Sequence, residues 1–318
     1  MTDLKASILE VIGATPVVTL TRIASHLSGR LLAKLDYLNP GFSKKDRAAL
    51  RIIEEAERAG ALRPGQTVVE LTSGNMGTGL AIVCVVKGYP FVAVMSRGNS
   101  PERAAMMRAL GAEVVLVEQC TESIAGQVSG ADLARVEERT QQIALERDAF
   151  RADQFHRDGN WHAHRDGTAQ EFLQQAGHID AFCDFVGSGG TLAGCAAGFK
   201  AHDARIRCYA VEPAGAAVLA GETVVDAGHR IQGGGYAMRD LAFLNREHID
   251  GYLQVTDEQA IAAARLLARK EGIFAGFSTG ANLAAALRLL EGPFSGGTVA
   301  FVVCDSGLKY LSTDLWRE

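Results

Sequence analysis

Two adjacent lysines stand in the run Asn39-Pro40-Gly41-Phe42-Ser43-Lys44-Lys45-Asp46-Arg47, at the predicted start of a helix. The first turn of a helix is its positive end, so a lysine held there is biased toward the neutral amine that condenses with an aldehyde. The same run has a plainer use: Ser43 and Asp46 form an S-x-x-D helix start, with both lysines in solvent. Three further turns carry glycines and hydroxyls. Thr72-Ser73-Gly74-Asn75-Met76-Gly77 offers amides and short side chains that suit a carboxylate, or equally a tight turn with an N-cap. Gly187-Ser188-Gly189-Gly190-Thr191 can fold into a nest of amides that suits a phosphate dianion, although it lacks the G-x-G-x-x-G spacing of a dinucleotide turn. Ser278 and Thr279 either face a ligand or cap the helix that follows them. His162 and His164, two residues apart, are expected on one strand face; with no third ligand near them, no metal site is read from the chain.

Each turn lies where a short apolar or β-branched run gives way to a helical pattern. In an open parallel sheet such junctions line the crevice at the carboxyl ends of the strands. Strands are expected at 67–71, 91–95, 113–117, 181–186, 207–211 and 298–304. Helices are expected at 45–59, 77–87, 101–110, 130–146, 192–201, 257–271 and 281–290. The alternation predicts an α/β fold of parallel strands joined by crossover helices. With 318 residues and roughly 150 per domain, the chain makes two domains or one large unit; 152–160 is the expected boundary, and 118–129 reads as a loop over a site.

Composition excludes several classes. With 47% hydrophobic and 22% charged residues, the chain is neither disordered nor fibrous. A net charge of −5 without a basic run argues against nucleic acid as a partner. No apolar stretch approaches the ~20 residues of a membrane span, and the first ten residues lack the features of a signal peptide, so a cytoplasmic protein is expected. Six cysteines without a C-x-x-C pair read as reduced thiols rather than bridges or zinc ligands. The 35 glycines cluster at 187–190 and 233–235, which suggests backbone approaching a ligand.

Taken together and in order, these segments resemble the cysteine synthase (O-acetylserine sulfhydrylase) family of pyridoxal-phosphate enzymes over nearly the whole chain. Ile12-Gly13-Ala14-Thr15-Pro16 resembles its I-G-N-T-P opening, and 39–47 its N-P-x-x-S-V-K-D-R segment, which implies Lys45 as the Schiff-base lysine. The 72–77 turn resembles T-S-G-N-T-G, implying that Thr72, Ser73, Gly74 and Met76 meet the substrate carboxylate and that Asn75 contacts the ring hydroxyl oxygen of the cofactor. Gln154-Phe155, Asn160, His164 and Thr168 fall in step with a segment whose glutamine also reaches the carboxylate. The turn of Gly187, Ser188, Gly189, Gly190 and Thr191 resembles the G-T-G-G-T phosphate cup, and Ile231-Gln232-Gly233 the substrate loop. Ser278 matches the serine at the pyridine nitrogen, and 305–313 the family's D-S-G-E-R-Y-L-S-T.

The resemblance implies a two-domain tryptophan synthase β-like fold (type II), each domain an open, mostly parallel sheet flanked by helices. Residues 47–155 would form a smaller mobile domain, and 12–46 with 156–318 the larger one. It implies a homodimer, pyridoxal 5′-phosphate as cofactor and an amino-acid substrate. The expected reaction is β-replacement on O-acetyl-L-serine or a related β-substituted L-amino acid, with sulfide or another small nucleophile, through an aminoacrylate. A neutral hydroxyl at Ser278 cannot hold the pyridine nitrogen protonated, which favours loss of a β-substituent over transamination. The alternatives are β-elimination by a dehydratase or ammonia lyase, and a non-catalytic regulatory protein that binds the cofactor; a nicotinamide oxidoreductase lacks its acidic ribose partner. The chain departs from the family at Lys44, where an apolar residue is usual, at Met76 in place of threonine, at Gly234 and Tyr236, and by about four extra residues before position 126.

Overall fold

The computed structural model describes residues 4–121, 123, 128–226 and 228–317. Strands β1 (Val17–Thr19) and β2 (Arg30–Lys34) lead into helix α1 (Lys45–Arg58). Strand and helix then alternate: β3 (Val68–Leu71), α2 (Asn75–Lys87), β4 (Phe91–Ser96), α3 (Pro101–Ala109), β5 (Glu113–Val117), α4 (Gly130–Glu146) and β6 (Phe150–Arg151). Helices α5 (Gly159–Ala163) and α6 (Ala169–Ala176) follow, joined by a π-helical turn at His164–Thr168. The chain closes with β7 (Ala181–Phe185), α7 (Gly190–His202), β8 (Arg207–Pro213), β9 (Gly251–Val255), α8 (Asp257–Glu271), α9 (Phe277–Glu291) and β10 (Thr298–Val302).

The strands form a six-stranded sheet, ordered β1-β2-β10-β7-β8-β9, and a four-stranded sheet, ordered β5-β4-β3-β6. Every pairing is parallel except that of β1 with β2. Both faces of each sheet are covered, so its strands are apolar on both sides. In β10, Val299 and Phe301 pack into the core on one face and Ala300 and Val302 into the core on the other. The small sheet repeats the pattern, with Phe91, Ala93 and Met95 of β4 on one face and Val92 and Val94 on the other. Helix α2 lies tight against α1: a Cβ at Gly79 would stand 3.0 Å from Ala49 Cβ and 3.1 Å from Asp46 Cα.

Several sequence expectations shift. Strands β1, β2, β6 and β9 lack distinctive runs and are found only through their partners. His162 and His164 sit on helical chain rather than on a strand, because α5 and the π turn must pack against α1 and α7. Ser278 and Thr279 do not cap α9; the helix starts before them at Phe277, and its N-cap, Gly276, supplies no side chain. Lys44 rather than Ser43 is the N-cap of α1, although the Ser43 hydroxyl still accepts from the Lys45 amide at 3.3 Å. Of the loop expected at 118–129, residues 122 and 124–127 lie outside the described residues; Ser129 caps α4 in a capping box with Asp132. Among the described residues no helix is long and apolar enough to cross a membrane.

Candidate active site

The carboxyl ends of the strands bring the predicted turns into one pocket. Lys44, Lys45, Asn75, Gly187, Ser188, Gly189, Gly190, Thr191, Gly233 and Ser278 all line it, together with Asp184 and Cys304. Lys45 arrives from the first position of α1, Asn75 from the first of α2, the glycine turn from the junction of β7 and α7, and Ser278 from the start of α9. Four helix N-termini thus point at one space, each with amides that have no acceptor within the helix.

The two lysines differ in state. Lys44 Nζ donates to both Asp184 oxygens at 2.7 Å, and although burial opposes its charge, the carboxylate holds its pKa above the ordinary lysine value. Lys45 Nζ donates to the neutral Ser188 hydroxyl at 3.3 Å. Burial, reinforced by the Lys44 charge, lowers the Lys45 pKa to about 8. Lys45 is therefore the amine that reaches its neutral form near physiological pH.

The glycine turn is built to bring backbone close. Gly189 takes φ +83°, a Cβ at Gly187 would lie 2.8 Å from the Gly233 carbonyl oxygen, and one at Gly190 would collide with the Asn160 amide. No side chain caps α7, whose N-cap is Gly189. Asn160 Nδ2 donates to Ser188 Oγ at 2.8 Å and to the Gln154 carbonyl oxygen at 2.6 Å, while its buried Oδ1 has no hydrogen-bond partner. Thr191 Oγ1 lies 3.2 Å from His164 Nε2, and Thr168 Oγ1 2.9 Å from its Nδ1. Burial and the nearby lysines push the His164 pKa well below its usual value, so the imidazole is neutral. Open amides and the Ser188 and Thr191 hydroxyls suit a phosphate dianion.

Apart from Asn75, neither the 72–77 turn nor Gln154 lines this pocket. Thr72 Oγ1 accepts from the Gly74 and Gly77 amides, both at 2.9 Å, and Gly74 takes φ +122°. The Met76 side chain is buried in the small-sheet core, so it offers the crevice only its backbone. Ser73 Oγ meets Tyr236 OH at 2.9 Å, across from the other sheet. Gln154 Nε2 donates to Leu71 O at 3.1 Å and to Glu70 Oε1 at 3.3 Å. Burial raises the Glu70 pKa to about 7, against the pull of Arg151.

Sequence reasoning passed over Asp184, Asn282, Glu70, Asp305 and Lys309 as individual actors. Asn75 Nδ2 donates to Asp305 Oδ2 at 2.7 Å, and Lys309 Nζ donates to Asn75 Oδ1 at 2.8 Å, so both ends of that amide are aimed from the C-terminal segment. Asn282 Nδ2 donates to Asp184 Oδ1 at 3.1 Å and to Val302 O at 3.0 Å. The signal for Asp184 was available: it is a charge inside the apolar run 181–186, just before the glycine turn. A buried charge needs a partner, and Lys44 was the unexplained cation.

Comparison with known proteins gives the same family as the motifs. The profile of the pyridoxal-phosphate dependent enzymes matches residues 8–305. The cysteine synthase of Staphylococcus aureus is 38% identical over 312 residues, covering 98% of this chain and 96% of the relative. The crystal structure of an O-ureido-L-serine synthase superposes with a TM-score of 0.87 at 39% identity, over 98% of this chain and 95% of that one. The cysteine synthase of Entamoeba histolytica superposes with a TM-score of 0.91 at 33% identity, over 100% of this chain and 92% of that one.

Proposed function

Because the chain belongs to the pyridoxal-phosphate dependent enzymes and, among them, to the cysteine synthase family, we propose that its substrate is O-acetyl-L-serine or a related β-substituted L-amino acid. Sulfide or another small nucleophile replaces the β-substituent. The cofactor is pyridoxal 5′-phosphate. The observation that carries the reading is the Lys45 amine, 3.3 Å from the Ser188 hydroxyl in a pocket shared with the 187–191 turn and Ser278. That donor set fits the cofactor: a lowered lysine for its aldehyde, a nest of amides for its phosphate and a neutral hydroxyl for its ring nitrogen.

In this reading Lys45 bonds the cofactor, Gly187, Ser188, Gly189, Gly190 and Thr191 grip the phosphate, Asn75 meets the ring hydroxyl oxygen and Ser278 the ring nitrogen. When bound, the cofactor would supply an electron sink for the substrate α-carbon, the chemistry that lets a β-substituent leave and a nucleophile take its place. Once the substrate amine has displaced it from the cofactor, the Lys45 amine, its pKa lowered to about 8 by burial and by Lys44, would take the α-proton. The first amides of α2 and the Thr72 and Ser73 hydroxyls bind the substrate carboxylate, with Gly74 letting the backbone turn toward it and the Met76 amide, not its side chain, contributing. Gln154, held by Glu70 and Leu71 O, supplies a further amide, and Gly233 lets the loop approach the β-substituent. Residues 47–155 act as the mobile domain, and the Ser73–Tyr236 contact supports a closed state that excludes water. A homodimer is carried over from the family resemblance; Val85 of α2 (58% exposed) and Ile8 (47%), on the turn Ile8–Val11 that packs against α2, offer apolar surface on that side of the chain.

The test is turnover by the holoenzyme. Cysteine formed from O-acetylserine and sulfide, with a substrate-induced change in cofactor absorbance, is the expected result. Keto acid released as fast without a nucleophile as with one means β-elimination instead. An unchanged spectrum removes O-acetylserine from consideration. Lys45→Ala is expected to abolish the covalent link to the cofactor; its survival would refute the assignment of the anchor.

A further inference from the structure

Asp184 is buried on β7, between β10 and β8, and its two carboxylate oxygens are both spent on Lys44 at 2.7 Å. It is braced from behind by Asn282 at 3.1 Å. Lys44 is braced too, since its amide donates to the Cys304 carbonyl oxygen at 2.8 Å. An ion pair of this kind contributes little net stability, because two apolar residues of similar volume would serve as well. Its position suggests another use. Lys44 and Lys45 are consecutive, with Cα atoms ~3.8 Å apart, and both side chains line the same pocket. Both amines thus border the space in which the cofactor would sit.

We propose that Asp184 is a positioning residue that decides which of two adjacent lysines bonds the cofactor: by clasping the Lys44 ammonium, it reserves the aldehyde for Lys45. The proposal rests on the reading of Lys45 as the anchor. Condensation needs a neutral amine; its nitrogen adds to the aldehyde carbon, a C=N bond forms and the aldehyde oxygen leaves as water. An amine held as an ammonium has no electron pair for that step. Lys44 is so held by Asp184, whereas Lys45 faces the neutral Ser188 hydroxyl. The other groups bearing on Lys45 are Lys44, Asp184, Cys304 and Glu70, and His164 beside them is neutral.

The experiment reads where the cofactor is attached, not whether the enzyme turns over. Borohydride delivers a hydride to the C=N carbon, a solvent proton goes to nitrogen, and the stable pyridoxyl-lysine is located by peptide sequencing in a mass spectrometer. In the wild-type holoenzyme the label is expected on Lys45; its absence there would fell the underlying reading rather than this one. In Lys45→Ala, with Asp184 intact, no label is expected on Lys44. In Lys45→Ala/Asp184→Asn the label is expected on Lys44. Labelling of Lys44 in Lys45→Ala alone overturns the proposal, as does an unlabelled double variant that still retains the cofactor. Should the double variant fail to fold by circular dichroism, Asp184→Asn alone decides. A label divided between positions 44 and 45 supports the clasp, and a label confined to Lys45 overturns it.

Discussion

At position 45 an amine loses its proton closer to neutral pH than an ordinary lysine because its cationic form is opposed twice, by burial and by Lys44, which already carries a charge. The sign of the pH dependence follows. Only the neutral amine attacks an aldehyde, so the rate at which cofactor-stripped protein takes up pyridoxal phosphate covalently should rise with pH, with a midpoint near 8. Lys44→Met removes the neighbouring cation and leaves the Asp184 carboxylate to Lys45. The Lys45 cation is then favoured, and the midpoint should move upward by about one unit, a tenfold change in proton affinity. Stopped-flow absorbance across pH measures it, and a downward shift would contradict this electrostatic account. At this scale the sequence was informative about residue types. It marked Lys45, Asn75 and Ser278 by motif, and Lys44 as an anomaly. It could not pair Lys44 with Asp184, because residues 140 positions apart meet only once β7 and α1 are packed.

In the proposed site helix starts do much of the binding, and their form depends on what glycine allows. The α7 start brings its amides to the pocket because Gly190 sits against the Asn160 side chain, where a Cβ has no room. Gly190→Ala should therefore weaken cofactor binding at least tenfold, or about 1.4 kcal/mol, while circular dichroism remains native. Equilibrium dialysis of pyridoxal phosphate reads this, and unchanged affinity would mean that the cup tolerates the shift. Elsewhere the elements depend on packing alone. Phe182 on β7 packs edge-to-face on Phe172 and Phe199, with ring centroids 5.8 and 5.3 Å away. Phe182→Ala should lower unfolding stability by about 3–5 kcal/mol in denaturant melts. Helices α4 and α8 were legible to their ends, since each pairs a capping box with an amphipathic stripe. Strands β1 and β6 were not, because three or two residues of edge strand carry no pattern beyond what their neighbours impose.

A small set of side chains ties the elements of the four-stranded sheet to those of the six-stranded sheet and the C-terminal segment. Arg103 of α3 reaches the Ser73 carbonyl oxygen and, at 2.5 Å, the Tyr310 hydroxyl of the C-terminal segment. Ser73 itself meets Tyr236 at 2.9 Å. If that last contact secures the closed form, Ser73→Ala and Tyr236→Phe should each raise KM for the amino acid. The double variant should be little worse than either single one, giving a coupling of about 1 kcal/mol. Additive effects in that cycle would show that the two hydroxyls act separately. The proposed closure of residues 47–155 belongs to the whole molecule: small-angle scattering with and without substrate should show the chain contracting, and an unchanged radius of gyration would remove that closure.

Read alone, the order of residues gave the α/β class and pointed to the turns and the lysine that the structure brings to one pocket. These are local matters: hydrophobic period, turn chemistry and helix ends are set within a few residues. Three-dimensional packing decided the rest. It assigned the charge state of each lysine, turned the Met76 side chain into the core and aimed Asn75 from Asp305 and Lys309. A buried group's ionisation and orientation depend on which distant atoms replace its lost water, and that replacement exists only after the chain has folded.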